Sequence, residues 1–198
     1  MTLRSGSTAC VVISTYGVRP NRLERNFSPA RPNTTWSGDI TYIATDEGWL
    51  FLAVVIDLFS RRVVGWSLQP HMQRSLVIDA LEMAWHQRRP DKDALLFHSD
   101  RGSQYCSYEY RSLMENYGLE ASMSGSGNCY DNAPMESFWG SLKNELVHHC
   151  RYLTRVEAKA SITEYIEIFY NRQRRHSRLG YLAPAAFTQN FNIQLAAA

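Results

Sequence analysis

Nowhere does this chain keep an apolar run long enough to cross a bilayer. The longest uncharged one, Gly48–Ile56, is nine residues, against the ~20 that a membrane-spanning helix needs. The opening, Met1–Ser14, carries one Arg and only a short apolar patch at Ala9–Ile13, too brief for the hydrophobic region of a secretory signal. Both absences predict a cytoplasmic chain. Cysteine is sparse: Cys10, Cys106, Cys129 and Cys150 include no CxxC spacing. That excludes a thiol redox motif and a disulfide framework, and predicts reduced, mostly buried thiols. Zinc could be offered Cys150 with His148 and His149, but adjacent residues rarely suit one tetrahedral site. Internal repeats are absent, and Ser124–Asn128 is the sole low-complexity stretch. What is present is a core: 44% of the 198 residues are hydrophobic and 12% aromatic, enough for one folded domain with appendages.

The net charge of +2 conceals an uneven distribution. Residues 1–31 carry five Arg against Glu24, residues 32–150 nine basic against fifteen acidic side chains, and residues 151–198 seven basic against three acidic. An acidic middle between basic ends suits a metal-dependent centre flanked by surfaces for a polyanion, although solvated charged faces are the ordinary origin of such counts. The densest basic stretch, NRQRRHSR at Asn171–Arg178, holds Arg172, Arg174, Arg175 and Arg178 and no acid. Guanidiniums at that density grip phosphates bidentately and release counterions. Nucleic-acid contact is expected there.

The hydrophobic period locates the elements. Residues 1–20 show no sustained period and are expected to be a poorly ordered leader, followed by a core over 21–150 and a helix with a basic tail over 151–198. Asp39–Ala44, Trp49–Leu58 and Val63–Leu68 read as strands joined by tight turns, an antiparallel meander. Met72, Leu76, Val77, Ala80, Leu81, Ala84 and Trp85 form one helical stripe ending before Pro90. Leu95–His98 is a short strand, and Ser107 caps a helix running to Gly118 with Tyr110, Leu113, Met114 and Tyr117 inward. Leu119–Met123 is a further strand, followed by the Ser/Gly loop. Pro134 suits the first turn of a helix that buries Met135, Phe138, Trp139, Leu142 and Leu146. Thr154 and Glu157 form a capping box before a long helix with Ile162, Tyr165, Ile166 and Phe169 inward. The order predicts an α/β fold: a mixed five-stranded sheet, three antiparallel strands then two more, flanked by helices.

Three carboxylates stand out within that frame. Asp39 lies in an apolar strand, Asp100 directly after a short one, and Glu136 in the first turn of a helix. Singly, each has an ordinary explanation: a partner Arg for Asp39, a turn before Gly102 for Asp100, and the helix dipole for Glu136. Together they offer the hard oxygen ligands that Mg²⁺ prefers, and two such ions ~4 Å apart support in-line phosphoryl displacement. Lys143, seven residues after Glu136, projects from the same face ~10 Å along the axis, with Gly140 between them leaving the face unobstructed. Alone, Lys143 would read as an exposed cation paired with a nearby acid. Asn132, one turn before Glu136, is placed to orient the carboxylate or touch substrate.

The strings WSGDITYI at Trp36–Ile43, HSDRGSQY at His98–Tyr105 and DNAPMESFWGSLK at Asp131–Lys143 resemble the catalytic core of DDE integrases and transposases. Thirty-five residues separate Asp100 from Glu136, the interval of that superfamily. The tail YNRQRRHSRLGYLAP, Tyr170–Pro184, is similar to the second-frame transposases of bacterial insertion sequences. The resemblance covers about Asn21 to Phe191. It implies a ribonuclease H-like fold, an active site of Asp39, Asp100 and Glu136 holding two Mg²⁺ or Mn²⁺ ions, and DNA as substrate. The implied chemistry is nicking at transposon ends with water, then attack by the freed 3′ hydroxyl on another phosphodiester, with no covalent protein–DNA intermediate. Lys143 matches the family's DNA-contacting basic position. Asn132 and the four arginines are further expected DNA contacts, and synapsis of two ends implies a homo-oligomer at the nucleoid. Asp57 is expected in turn geometry or paired with Arg61 or Arg62, His176 as a hydrogen-bonding or phosphate-contacting residue, and Tyr170, Leu179 and Pro184 in the core. Members of the branch carry a helix-turn-helix segment ahead of the core, and nothing in Met1–Pro20 resembles it. A truncated remnant that binds DNA or an intact copy without catalysis is therefore the alternative expectation, and an RNA–DNA hybrid hydrolase a third.

Overall fold

The computed structural model describes residues 18–91, 95–125 and 129–197, the side chain of Cys129 excepted. Most of the expected leader and the centre of the Ser/Gly loop lie outside the described residues. The strands are β1 (Thr35–Thr45), β2 (Gly48–Asp57), β3 (Val63–Gln69), β4 (Leu96–Ser99) and β5 (Glu120–Met123). The helices are α1 (Arg74–Arg88), α2 (Tyr108–Asn116), α3 (Ala133–Glu145), α4 (Arg155–Glu164) and α5 (Pro184–Ala196). One sheet results, in the order β3-β2-β1-β4-β5. β1, β2 and β3 pair antiparallel, whereas β4 lies parallel to β1 and β5 parallel to β4. The expected mixed five-stranded sheet is present.

Both faces of the sheet are covered, which is why β2 reads as an almost unbroken apolar run. Leu50, Leu52, Val54 and Ile56 face a core shared with Met135, Phe138 and Leu142 of α3 and Ala158 and Ile162 of α4. Ala53 and Val55 face the opposite core, built with Leu76, Val77, Ala80 and Leu81 of α1 and Tyr110 and Met114 of α2. Each fully buried aliphatic side chain contributes roughly 1.5–3 kcal/mol, and β2 supplies four at 1% exposure or less to one core alone.

Local signals act where the sequence placed them. Ser107 accepts the Tyr110 N–H at the start of α2, and Thr154 accepts that of Glu157 at the start of α4, while Glu157 reaches back to the Leu153 N–H. Asp57 is fully buried in the turn between β2 and β3 and accepts from the Ser60 N–H, the Ser60 hydroxyl and the Asn33 N–H. Turn geometry is thus its role. Burial pushes its carboxyl up, and Arg88 is the cation that opposes this most.

Four expectations are corrected. Met72 precedes α1 and is exposed rather than part of its stripe. Phe169 points outward, while Tyr170 is buried as expected, because Tyr165–Tyr170 winds as a π-helix, whose wider turn shifts the buried phase. α5 was not foreseen. It buries little beyond Pro184 and Thr188 and docks through Phe187 and Phe191 on Phe59, so it lacks a strong stripe. Cys106 is half-buried and Cys150 exposed, both free, so the described thiols are not core residues.

Two contacts fix the sheet to its surroundings. A Cβ at Gly65 of β3 would sit 2.2 Å from the Ala80 carbonyl oxygen and 2.6 Å from the Ala84 nitrogen, so α1 lies directly on the strand. The buried Asn171 side chain accepts the Val63 N–H at 2.9 Å and donates to the Val63 carbonyl at 3.0 Å, standing in for a neighbouring strand. Gly65→Ala is expected to lower stability by about 1–3 kcal/mol or more through overpacking, and Asn171→Ala by about 1–3 kcal/mol for each orphaned backbone group. Urea titration with an unchanged slope checks both.

Candidate active site

The parallel register between β1 and β4 sets Gly38 opposite Ser99. One residue further along stand Asp39 and Asp100, so two carboxylates from remote parts of the sequence leave adjacent strands at the same level, about 5 Å apart along the hydrogen-bonding direction. Asp39 faces α3. Its Oδ2 accepts from Asn132 Nδ2 and Trp139 Nε1, each at 2.9 Å, and its Oδ1 from the Ile40 N–H at 2.8 Å. Asp100 closes a turn by accepting the Gly102 N–H at 2.9 Å. Burial pushes the Asp39 carboxyl up to about 6. Its three donors oppose that shift, and the charge of Asp100 adds to it. Beside them the buried Tyr105 hydroxyl is held well above its ordinary range, by burial first and also by Tyr110, Asp39 and Asp100. It remains a neutral phenol.

Glu136 comes from α3. Asn132 and Trp139 lie one turn before and one turn after it, on the same helical face, and both touch Asp39. The face that carries Glu136 is therefore the one laid over Asp39, yet the Glu136 side chain is exposed. Among the described residues, no three His, Cys, Asp or Glu side chains are gathered closely enough to hold a metal ion. Asp39 and Asp100 are brought together, and Glu136 stands at their rim. The donor chemistry fits a hard divalent cation: the converging groups are carboxylates, and their mutual repulsion is what such an ion relieves.

Asn132 belongs to the site through Asp39. Buried, it accepts from the Ser37 hydroxyl as it donates to Asp39, so it leaves α3 without a side-chain cap. Lys143 has no carboxylate partner among the described residues. Its ammonium lies 5.6 Å from the centre of the Tyr42 ring, which also packs edge-on against the exposed Trp49. Between Glu136 and Lys143, a Cβ at Gly140 would meet nothing within 4 Å. The arginines of the tail differ in freedom. Arg172 and Arg175 are exposed, Arg174 pairs with Glu145 at 2.7 Å, and Arg178 bonds to the Phe27 carbonyl and the Ser28 hydroxyl. The exposed His148, His149 and Cys150 form no metal site.

A supporting network went unnoticed in the sequence. His98, fully buried, bonds through Nδ1 to Ser122 Oγ at 2.8 Å and through Nε2 to Ser124 Oγ at 3.1 Å. Ser122 Oγ already accepts the Arg22 and Leu23 N–H groups. Its own proton must then go to Nδ1, which leaves His98 protonated on Nε2. Burial pulls the imidazole down to about 4, so it is neutral. Asp131 accepts from Asn21, Arg25 and the Gly125 N–H, tying the segment before β1 to the start of α3. Pairing across a parallel sheet produces these contacts, and no spacing in the sequence announces them.

A mixed sheet of this order, with its two parallel strands beside the antiparallel meander and helices on both faces, has ribonuclease H-like architecture. Residues 29–129 match the family profile described as Integrase core domain, and residues 136–191 match a second profile of the same description. The chain belongs to the integrase core domain family. It is 54% identical over 180 residues to the insertion element IS600 uncharacterized 31 kDa protein of Shigella sonnei, covering 91% of this chain and 65% of that one. It is 50% identical over 177 residues to the transposase InsF for insertion sequence IS3A of Escherichia coli (strain K12), covering 89% and 60%. The chain thus spans roughly three fifths to two thirds of these relatives, and they support a DDE transposase of the IS3 type. Among solved structures, the HTLV-2 integrase catalytic core domain in complex with magnesium (trimeric form) shares the fold, with a TM-score of 0.62, 19% identity, and coverage of 80% of this chain and 98% of that one. The simian T-cell lymphotropic virus intasome in complex with PP2A regulatory subunit B56 gamma gives a TM-score of 0.68 at 16% identity, covering 88% and 60%.

The raised Asp39 group has a pH signature. Between about pH 4 and pH 6 the folded chain keeps a proton on Asp39 that the unfolded chain has released, so this contribution falls as pH rises through that window, by about 2–3 kcal/mol in total. In chelator, Asp39→Asn is expected to be more stable than wild type at pH 7 and equal to it near pH 4, as read from melting temperatures across pH. Gly140→Ala, with open space at its Cβ, is expected to stabilise α3 by about 1 kcal/mol.

Proposed function

We propose that this chain is the catalytic core of a DNA transposase of a bacterial insertion sequence, with Asp39, Asp100 and Glu136 as its catalytic carboxylates. The observation that carries this reading is the level placement of Asp39 and Asp100 on the β1–β4 pair, under a helix that grips Asp39 and bears Glu136 one turn from either grip. In the reaction, water attacks a phosphodiester at the element end, and the P–O bond to the 3′ oxygen breaks, leaving a 3′ hydroxyl. That hydroxyl then attacks a phosphodiester of the target, forming one P–O bond as another breaks. Each transfer exchanges like for like, so no nucleotide cofactor is required. Two Mg²⁺ or Mn²⁺ ions bound at the three carboxylates would neutralise phosphate charge and activate the attacking oxygen.

The chain's own groups prepare that site. Trp139, Asn132 and the Ile40 N–H hold Asp39 in one orientation, the Gly102 N–H holds Asp100, and the exposed Glu136 completes the set by turning its side chain inward. Lys143 takes a backbone phosphate of the terminal DNA, and the open surface at Gly140 lets that backbone lie along α3. Asn132 serves DNA through Asp39, and Arg172, Arg174, Arg175 and Arg178 give the tail its positive field. Two DNA ends need two active sites, and an integrase core of this fold is described in trimeric and dimeric forms. A homo-oligomer is the working assembly, in the cytoplasm at the nucleoid.

Pre-cleaved element-end DNA, target plasmid and Mg²⁺ or Mn²⁺ test the reading. Strand-transfer products are expected with wild type, and a loss of at least ~100-fold in Asp100→Asn or Glu136→Gln. Activity retained in Asp100→Asn would remove that carboxylate from catalysis, and salt-sensitive DNA binding with no nicking at all would favour the inactive remnant. Mg²⁺ or Mn²⁺ is also expected to raise the melting temperature of wild type and not of Asp39→Asn.

A further inference from the structure

A second site lies on the adjoining face of α3. Ala133, Pro134 and Ser137 form one wall of a groove of about 500 Å³, and Arg61, Arg175, Arg178 and Tyr181 line it from the other side. The charge in this groove is out of balance. Arg61 and Arg178 both donate to one neutral acceptor, the Phe27 carbonyl oxygen. Arg175 makes no hydrogen bond or ion pair among the described residues, and Glu145 is committed to Arg174 and the Tyr165 hydroxyl. Burial, then the charge of Arg178, lowers the Arg61 guanidinium to about 10, with Tyr170 and Asp57 opposing the shift only in part, so it is held in place against its own solvation and against a like charge. Folded proteins seldom aim guanidiniums at a shared carbonyl without an anion to complete the set.

An aromatic ring stands at the rim. Tyr181 is 70% exposed, and its backbone takes φ 63°, a left-handed conformation that a tyrosine adopts at a cost of about 1–3 kcal/mol. The loop enforces it: the Tyr181 N–H bonds to the His176 carbonyl and the His176 N–H to that of Leu182. Arg61 is left-handed as well, at φ 59°. Two strained residues thus line one cationic groove, one presenting a guanidinium and the other an open aromatic face.

We propose that this groove binds a DNA strand flanking the reacting phosphodiester, with a backbone phosphate on Arg61, Arg175 and Arg178 and a base stacked on Tyr181. The assignment deepens the transposase reading and rests on it for the identity of the strand. α3 links the two sites: one face lies over Asp39, and the neighbouring face walls the groove. A free phosphate shares the chemistry at the guanidiniums but has no base for Tyr181.

The experiment is fluorescence anisotropy of a short labelled single-stranded oligonucleotide with the whole chain over a NaCl series, in chelator. Arg175→Gln with Arg178→Gln, both exposed positions, is expected to weaken binding ~10-fold or more and to flatten the salt dependence by roughly one ion for each phosphate the variant no longer holds. Tyr181→Ala is expected to weaken binding ~5–10-fold without changing that slope, since stacking releases no counterion. Wild-type affinity and slope in the arginine pair would overturn the proposal, as would Tyr181→Ala binding like wild type. Inorganic phosphate that displaces the oligonucleotide far better than chloride at equal ionic strength would assign the groove to free phosphate and overturn the strand. Strand transfer measured in parallel separates the two readings. Groove variants that bind normally sink the groove while catalysis stands, and a wild type inert on element ends whose binding still falls in these variants sinks the catalytic reading and leaves the groove.

Discussion

The structure turns on a carboxylate held between a sheet and a helix. Asp39 is mostly withdrawn from water, and a buried carboxylate is tolerated only where donors meet it. α3 provides two of the three, from Asn132 and Trp139. Those bonds fix the rotation and height of α3 above β1, and every other residue of interest on that helix inherits its position from them. Glu136 falls between the two donors, and Gly140 and Lys143 follow along the same side. The neighbouring face of the same helix, at Ala133, Pro134 and Ser137, walls the groove of arginines. One polar contact therefore organises two neighbouring surfaces.

The second strand of the site is held with equal care and by different means. Asp100 follows β4, whose level is set by His98 sitting between two serine hydroxyls from the β5 side. The backbone of Arg22 and Leu23, ahead of β1, donates into the same Ser122 hydroxyl, and Asn21 and Arg25 reach Asp131 just before α3. Segments distant in sequence thus lock together around the carboxylates with neutral or fully paired polar groups. Lys143, on the far side of α3, has no carboxylate partner among the described residues, and neither has Arg175 in the arginine groove. The covering helices bury apolar area on the outer faces of the sheet and leave the polar seam between β1, β4 and α3 intact.

Much of this was legible from residue order, because it depends on local rules. Strands alternate or run apolar, Ser107 and Thr154 announce their helices, and Asp57 sits where a tight turn needs an acceptor. The three carboxylates and Lys143 could be singled out because acids in apolar or element-end positions are uncommon and a helical interval of seven returns to one face. Phe169 turned outward against expectation because a π-helical turn has no composition signature. Asn171, read within a basic stretch, pairs instead with the backbone of β3, and Arg174 pairs with Glu145. Nothing in the spacing separates a guanidinium committed to the fold from one left for a ligand.

The sequence by itself determined the secondary elements and their order, the candidate acids and the basic tail, since propensity, periodicity and capping act over a few residues. Tertiary structure alone decided that Asp39 and Asp100 stand level, that Asn132 and Trp139 hold the first of them, and that Arg61 joins Arg175 and Arg178 in one groove. Those outcomes depend on strand register and helix placement, which long-range packing sets and which no local interval encodes.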